Sequence, residues 1–417
     1  MIDTTCGSGG FLIKTFEYIR EKIEEDIREK KKEIIDTIFE TSDYDNLNEE
    51  EQIKINHKID KITESFNNEL DTLTNGSRLQ NLSSNCIYGV DANPRMARTS
   101  KMNMIMHGDG HGGIHHHEGL LNVNGIFEER FDVILTNPPF GSSVDKNQLI
   151  TEEDIFKDEK LIEKYTKKYG EVYKDAQSRV NNNIGEPVIN LYEVGKLSSL
   201  TEVVFIDRCL NLLKKGGRLG IVLPDGVLNN QNMQKVREYF EGRAKIVLVC
   251  SIPQDVFGSS KATVKPSLVF LKKFTENEET EYNNAKLKAK EKIRMNYLSQ
   301  IEELNLKISE IDSKDKKQKT KIDTANKKQY NRELKEIDKK IEEESKIVLK
   351  DFFDYEIAFA KVDKAGITNT GAECENELIE VLAEFRKYET ENSIWEKLKI
   401  DYKYSLDEDG NLRKEIL

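Results

Sequence analysis

Apolar positions along the chain follow two periods. Residues 2–5 read as the last residues of a strand. Cys6–Gly10 then form a glycine-rich turn, and Phe11, Leu12, Phe16 and Ile19 begin a helix. Residues 20–75 are highly charged, yet Ile55, Ile59, Ile62, Phe66, Leu70 and Leu73 recur by threes and fours, which predicts an inserted helical excursion. The pattern resumes with a strand over Asn85–Asp91 and a helix over Pro94–His107, whose proline suits a first helical turn. Phe131–Thr136 is a strongly apolar strand that Pro138 and Pro139 must end. Residues 141–195 show no clear period and are expected to form a long loop region with helical pieces. Thr201–Leu213 predicts an amphipathic helix ending at Gly216-Gly217. Strands over Arg218–Leu223, Lys245–Ile252 and Ser267–Lys272 follow, with a helix over Met233–Phe240 between the first two. Such alternation predicts an α/β fold with a doubly wound, mostly parallel sheet. Because the chain opens in mid-strand, further sequence upstream is expected.

The composition shifts near Thr275. Lys, Glu and Asn dominate residues 276–346, where Ile301, Leu304, Ile308 and Ile311 follow a 3-4-3 spacing, Leu334, Ile337 and Ile341 a 3-4 spacing, and the polar stretch Asp312–Asn331 lies between them. Two antiparallel helices joined by a turn fit this spacing. The expected organisation is a core over 1–275 with an insertion at 20–80, a charged hairpin over 276–350, and a C-terminal helical tail over 351–417 with a helix at Glu375–Tyr388.

Composition narrows the class of function. The five cysteines (Cys6, Cys86, Cys209, Cys250 and Cys374) are scattered, as reduced thiols of a cytosolic protein would be, and form no CxxC pair. No run approaches the twenty apolar residues of a membrane span, and the first ten residues are not a signal peptide. The formal net charge of −12 argues against autonomous nucleic-acid binding, which needs a basic footprint, so any DNA contact would use a local basic groove or a partner.

Three segments carry candidate chemistry. The glycines of Asp3–Leu12 (DTTCGSGGFL) allow a ligand close to the backbone. Leu12 stands where a dinucleotide motif would have its third glycine, and a tight turn without a ligand is the simpler alternative. Asp91 ends the second strand, placed either to accept hydrogen bonds from ribose hydroxyls or to cap the helix at Pro94. Asn137-Pro138-Pro139-Phe140 is the most specific. An exocyclic amine is a poor nucleophile because its lone pair is delocalised into the ring. The Asn137 side-chain oxygen and the Pro138 carbonyl can each accept one N–H, localising that lone pair without a strong base. Pro139 stiffens the turn, and Phe140 can stack on an extruded base.

These segments, with YGVDANPRMARTSKMNMIMHGDG, GGRLGIVLPDGVLNN and the tail VDKAGITNTGAECENELIEVLAEFRKY, resemble N6-adenine DNA methyltransferases, in particular the modification subunit of type I restriction-modification systems. The resemblance covers roughly 1–20, 85–275 and 350–390. It implies the class I S-adenosylmethionine-dependent methyltransferase fold. It also implies cofactor binding by Asp3, Thr4, Cys6, Gly7, Ser8, Gly9, Asp91, Ala92, Glu118, Gly119 and Asn137. Asn137, Pro138, Pro139 and Phe140 would hold the target adenine. Glu118 stands where the family usually has Asp, and Thr4 where it commonly has Pro; a motif and a helical domain that precede the glycine turn in the family are absent. The implied partners are double-stranded DNA, a specificity subunit docked on the C-terminal helices, and a restriction subunit, in the cytoplasm. Methylation of RNA or of protein glutamine, and a non-catalytic scaffold, are the alternatives. His111, His115, His116 and His117 suggest a metal at first sight, but adjacent side chains cannot converge on one ion and a solvated loop is expected there. The mixed charges of the Lys/Glu-rich segments suit solvated or partner-binding helix faces.

Overall fold

The computed structural model describes residues 1–108, 113–254, 256, 265–313, 320–368, 370–395, 402–407 and 411–416. In chain order, β1 (Ile2–Asp3) leads into α1 (Gly10–Ser42), α2 (Glu49–Glu69), α3 (Arg78–Asn85), β2 (Tyr88–Asp91), α4 (Pro94–Met106), β3 (Ile114–His116) and β4 (Phe131–Thr136). Next come α5 (Glu159–Tyr169), α6 (Glu171–Asn181), α7 (Thr201–Leu212), β5 (Leu213–Pro224), α8 (Asp225–Asn229), α9 (Gln234–Glu241), β6 (Ala244–Ser251) and β7 (Pro266–Lys273). The remainder comprises α10 (Glu276–Ser313), α11 (Lys321–Leu349), β8 (Ala358–Lys361), β9 (Ala365–Ile367), β10 (Glu373–Asn376), α12 (Leu378–Glu391), β11 (Tyr402–Leu406) and β12 (Leu412–Ile416).

Eight strands form one sheet in the order β3-β2-β1-β4-β5-β7-β6-β8. Only β7 runs antiparallel to its neighbours; the other pairings are parallel. Strand order reverses at β1 and β4, which opens a crevice at their carboxyl ends. Ile2, Val90, Ile134, Leu219 and Ile221 carry the sheet's share of the main core, and Val203, Val204, Ile206 and Leu210 of α7 belong to the same cluster.

Several expectations need correction. The helix at 201 is not amphipathic: only Asn211 among its twelve residues is not buried, so it is a core helix buried on every side. It also stops at Leu212, because Leu213 is already extended and pairs with Phe131. Gly216 and Gly217 instead lie within β5, where the register against β4 jumps between Leu213 and Arg218, and Gly216 takes the left-handed conformation the bulge needs (φ 74°). The histidine run is not a loop: His115 and His116 lie in β3, the edge strand beside β2. His111 lies outside the described residues. The tail is not helical throughout. Among its described residues only α12 is a helix; β8 adds to the sheet beside β6, and β9–β10 and β11–β12 are hairpins.

The insertion acquires its own small core. Leu12 and Phe16 at the start of α1 pack with Leu79, Leu82, Met104 and Ile114. Farther along, Ile27 and Ile38 pack with Ile62 and Phe66 of α2 and with Tyr404 of β11. The Phe66 and Tyr404 rings lie 5.0 Å apart, the Arg78 guanidinium sits 4.3 Å over Tyr402, and Lys414 pairs with Glu69 at 2.7 Å.

Phe274–Ile357 form a separate compact unit. Ile293, Ile301 and Leu304 of α10 pack against Ile337 and Ile341 of α11. The connecting segment is shorter than the polar stretch suggested, since α11 starts at Lys321 behind a capping box of Thr320 and Asp323.

Candidate active site

The glycine-rich turn between β1 and α1 is built by backbone bonds. Gly7 and Gly9 have φ of 51° and 91°, and a side chain at Gly9 would meet the Ser100 hydroxyl at 2.7 Å. The Cys6 N–H donates to the Val90 carbonyl at 2.9 Å, and the Gly7 N–H donates to Asp91 Oδ2 at 2.9 Å. Asp91 Oδ1 accepts from the Asn93 N–H at 2.8 Å. Helix α4 is capped by Asn93, whose side chain accepts from Arg95 and Met96 N–H. The Asp91 carboxylate thus reaches across to the glycine turn and caps no helix.

Asp3, 2% exposed, accepts from the Thr136 hydroxyl at 2.8 Å and the Thr5 N–H at 3.0 Å. Burial pushes its carboxyl up to about 7, against the pull of those two donors, and the Asp91 charge adds to the rise. The Thr4 and Thr5 hydroxyls lie 3.1 and 2.8 Å from that of Thr136. This cluster ties the end of β1 to the residue before Asn137. Cys6 points into the apolar cluster of Leu12 and Phe16, and burial pushes its thiol up to about 12, which keeps it protonated.

A cleft of about 500 Å³ opens at this edge of the sheet, lined by Thr4, Thr5, Asp91, Ala92, Glu118, Gly119, Leu120, Asn137, Pro139, Ser143, Val144, Asp145, Gln148, Thr201 and Phe205. Asn137 directly follows β4. Its Oδ1 is buried and has no hydrogen-bond partner among the described residues. Leaving such an acceptor unmade costs about 1–3 kcal/mol. The loop beyond is pinned to the start of α7: the Thr201 N–H donates to the Ser142 carbonyl and the Val144 N–H to that of Ser199, both within 2.9 Å.

On the opposite wall, Glu118 Oε2 accepts from Gln148 Nε2 at 2.7 Å, and Oε1 from the Leu120 N–H at 3.3 Å. Gly119 admits no side chain, because a Cβ there would lie 2.6 Å from the Thr4 carbonyl and 3.1 Å from the Phe205 ring. Arg208, 1% exposed, holds this wall from beneath. Its guanidinium donates to the Gly119 and Leu121 carbonyls at 3.1 and 2.7 Å and to Asn122 Oδ1 at 2.7 Å.

Of the residues singled out in sequence, the cleft gathers Thr4, Asp91, Ala92, Glu118, Gly119, Asn137 and Pro139. Asp3, Cys6, Gly7, Ser8, Gly9, Pro138 and Phe140 are outside its lining. Asp3 and Gly7 act on it through Thr136 and Asp91, while the Ser8 carbonyl accepts from Asn103 Nδ2. Ser143, Val144, Asp145 and Gln148 come from the stretch without a period and were not anticipated. Phe205 and Arg208 belong to α7, where the only signal was charge inside an apolar run. His115 is a strand residue whose imidazole burial pushes down to about 4. Among the described residues no group of His, Cys, Asp or Glu could hold a metal ion.

The strand order, with a reversed β7 between β5 and β6, and a cleft at the switch point define a class I S-adenosylmethionine-dependent methyltransferase fold. The family model for N-6 DNA methylase matches residues 1–174 and 190–346, most of the chain, and the protein belongs to that family. The match runs through the insertion, which the motif resemblance did not cover, and through the hairpin, which it covered only loosely, and it ends before 350–390, which the resemblance included. A second model, for Eco57I restriction-modification methylases, matches residues 109–257. No curated protein matches the sequence. Among solved structures, the chain is similar to the M protein of the type I restriction enzyme EcoKI, at 18% identity over 67% of this chain and 40% of that one, with a TM-score of 0.38. It is also similar to a chain from a type I restriction-modification complex, at 19% identity over 65% of this chain and 37% of that one, with a TM-score of 0.37. The chain therefore spans well under half of either protein's length.

Proposed function

We propose that this chain transfers the methyl group of S-adenosylmethionine to N6 of an adenine extruded from double-stranded DNA, as the modification subunit of a type I restriction-modification complex. The observation that carries the reading is the unpartnered Asn137 Oδ1, a buried acceptor at the mouth of β4 beside a cleft of small-molecule size. An adenine amine has two N–H donors, and Asn137 Oδ1 with the Pro138 carbonyl would accept one each. That drains no charge from the site and localises the nitrogen lone pair. Phe140, half-buried next to them, would stack on the base.

The donor set fits the cofactor. Asp91, which lines the cleft, would take the ribose; Glu118 would face the purine; and Gly119 lets this wall pack closely against Thr4 and Phe205. S-adenosylmethionine, when bound, supplies an electrophilic methyl group. Asp3, Cys6, Gly7, Ser8 and Gly9 would shape the methionine end through the turn they form. Sequence recognition would come from a specificity subunit docked on the C-terminal helices, in a cytoplasmic complex that also holds a restriction subunit. None of the described helices is long and apolar enough to cross a membrane.

Calorimetric titration of S-adenosylmethionine tests the cofactor half. Asp91→Ala should weaken binding about tenfold or more, about 1.4 kcal/mol. Absence of binding by the unaltered chain at millimolar cofactor would sink it. The base half is tested by methyl transfer to adenine-containing DNA with a specificity subunit present.

A further inference from the structure

Gln148 has no place in the motifs of the sequence, yet its side chain lines the cleft and bonds to Glu118, 2.7 Å from Nε2 to Oε2. Its backbone is fixed on both sides. The Gln148 N–H donates to the Asp145 carbonyl at 3.1 Å, the Gln148 carbonyl accepts from the Val188 N–H at 2.9 Å, and Ile150 bonds to Glu186 at 2.9 Å. Bridges at Ser143–Leu200 and Leu149–Pro187 close the segment at its two ends. The side chain is thus delivered to Glu118 by a braced strap rather than by a free loop.

We infer that Gln148 is a specificity-determining residue of the cofactor site, acting with Glu118 as one unit that selects a 6-aminopurine. The inference rests on the cofactor reading above. A carboxylate offers about four lone-pair sites and a carboxamide oxygen two. The internal Gln148–Glu118 bond and the Leu120 N–H occupy two sites of Glu118. The acceptors left over belong to Glu118 and to the Gln148 carboxamide oxygen, and both side chains line the cleft. Such a pair suits an amino group with two N–H donors and repels a 6-oxo group, which offers none. Gln148 spends one of its two N–H donors on Glu118, so the carboxylate is steered without being neutralised. This also answers the longer reach of Glu at 118, since a longer side chain needs a partner to fix it.

The test uses the 417-residue chain and two probes, adenosine and inosine, each displacing S-adenosylmethionine in a calorimetric competition. The unaltered chain should prefer adenosine. Gln148→Ala should weaken adenosine and S-adenosylmethionine about tenfold and leave inosine nearly unchanged. Gln148→Glu should weaken both more, by setting two carboxylates together. The exchange Glu118→Gln with Gln148→Glu restores an amide-to-carboxylate bond in the opposite sense and should recover most of the adenosine affinity. Such rescue is not expected of a residue that only props the loop, and matched thermal melts exclude misfolding. Equal losses for adenosine and inosine, or no rescue by the exchange, would overturn the inference while leaving the cofactor reading intact. An unaltered chain that binds neither S-adenosylmethionine nor adenosine would overturn both.

Discussion

The two walls of the cleft are finished to different degrees. On the glycine-turn side, every carboxylate has its donors: Asp3 takes Thr5 and Thr136, and Asp91 takes Gly7 and Asn93. On the side that follows β4, Asn137 Oδ1 is buried with none among the described residues. The first wall spends its polar groups on its own geometry and offers a ligand a preformed shape. The second withholds one acceptor and remains incomplete until a donor arrives. Pre-organisation and a waiting acceptor are separate requirements of a site that must bind one molecule and activate another.

Substitutions separate the two walls. The largest effect is expected from Asn137→Ala, which should slow methyl transfer about a thousandfold while leaving S-adenosylmethionine affinity within a factor of about two, read by rate and calorimetry on the same preparation. Loss of both together would break the division. Arg208→Met should cost about 3 kcal/mol in denaturant unfolding, because it strands the Gly119 and Leu121 carbonyls that the guanidinium satisfies. A cost below about 0.5 kcal/mol would mean that the wall stands without it. Asp91→Ala should reduce cofactor affinity about tenfold with little effect on stability.

The smallest effect concerns Asp3. Its carboxyl is raised to about 7 in the fold, so the protonated form is favoured by folding. The stability this contributes is complete below the ordinary carboxylate value near 4 and is lost as pH rises through about 7. Asp3→Asn, which keeps an oxygen for Thr136, should therefore gain on the unaltered chain between pH 4 and pH 8, by about 1 kcal/mol or more. Melts that track each other across that range would show that Asp3 is not strained.

The part of the site carried by strand ends was legible because a turn after an apolar strand needs few residues and each type has a reason. Asn137, Asp91 and the glycines were found that way. Phe131–Thr136 was placed to the residue, since a central strand shows as a mostly apolar run, here interrupted only by Asp132 and ended by the two prolines. Gln148, Ser143 and Asp145 were not legible. They sit in a strap whose bonds are isolated bridges, and such bridges leave no period. Arg208 was hidden for a related reason: in a helix buried on every side, hydropathy cannot say which polar residue supports a loop. The tail misled because its strands are three to five residues long, and Phe359 in β8 is 72% exposed, so alternation had no room to appear. In α11, exposed Ile322 left the first turns looking like polar linker.

The hairpin β11–β12 also sets an order of events during synthesis. Lys414 bonds to Glu69 across 345 residues of chain, and Tyr404 supplies the last ring of a core begun by Ile27, Ile38, Ile62 and Phe66. When the ribosome has made α1 and α2, their shared apolar face has no cover, and it must wait for the 345 residues from Glu69 to Lys414 before it is sealed. Contacts of such long sequence separation form slowly and only after the closure entropy of the intervening loop has been met. Interrupted chains would therefore emerge with that face bare and open to chaperones and proteases, and only a chain translated through Lys414 could close it.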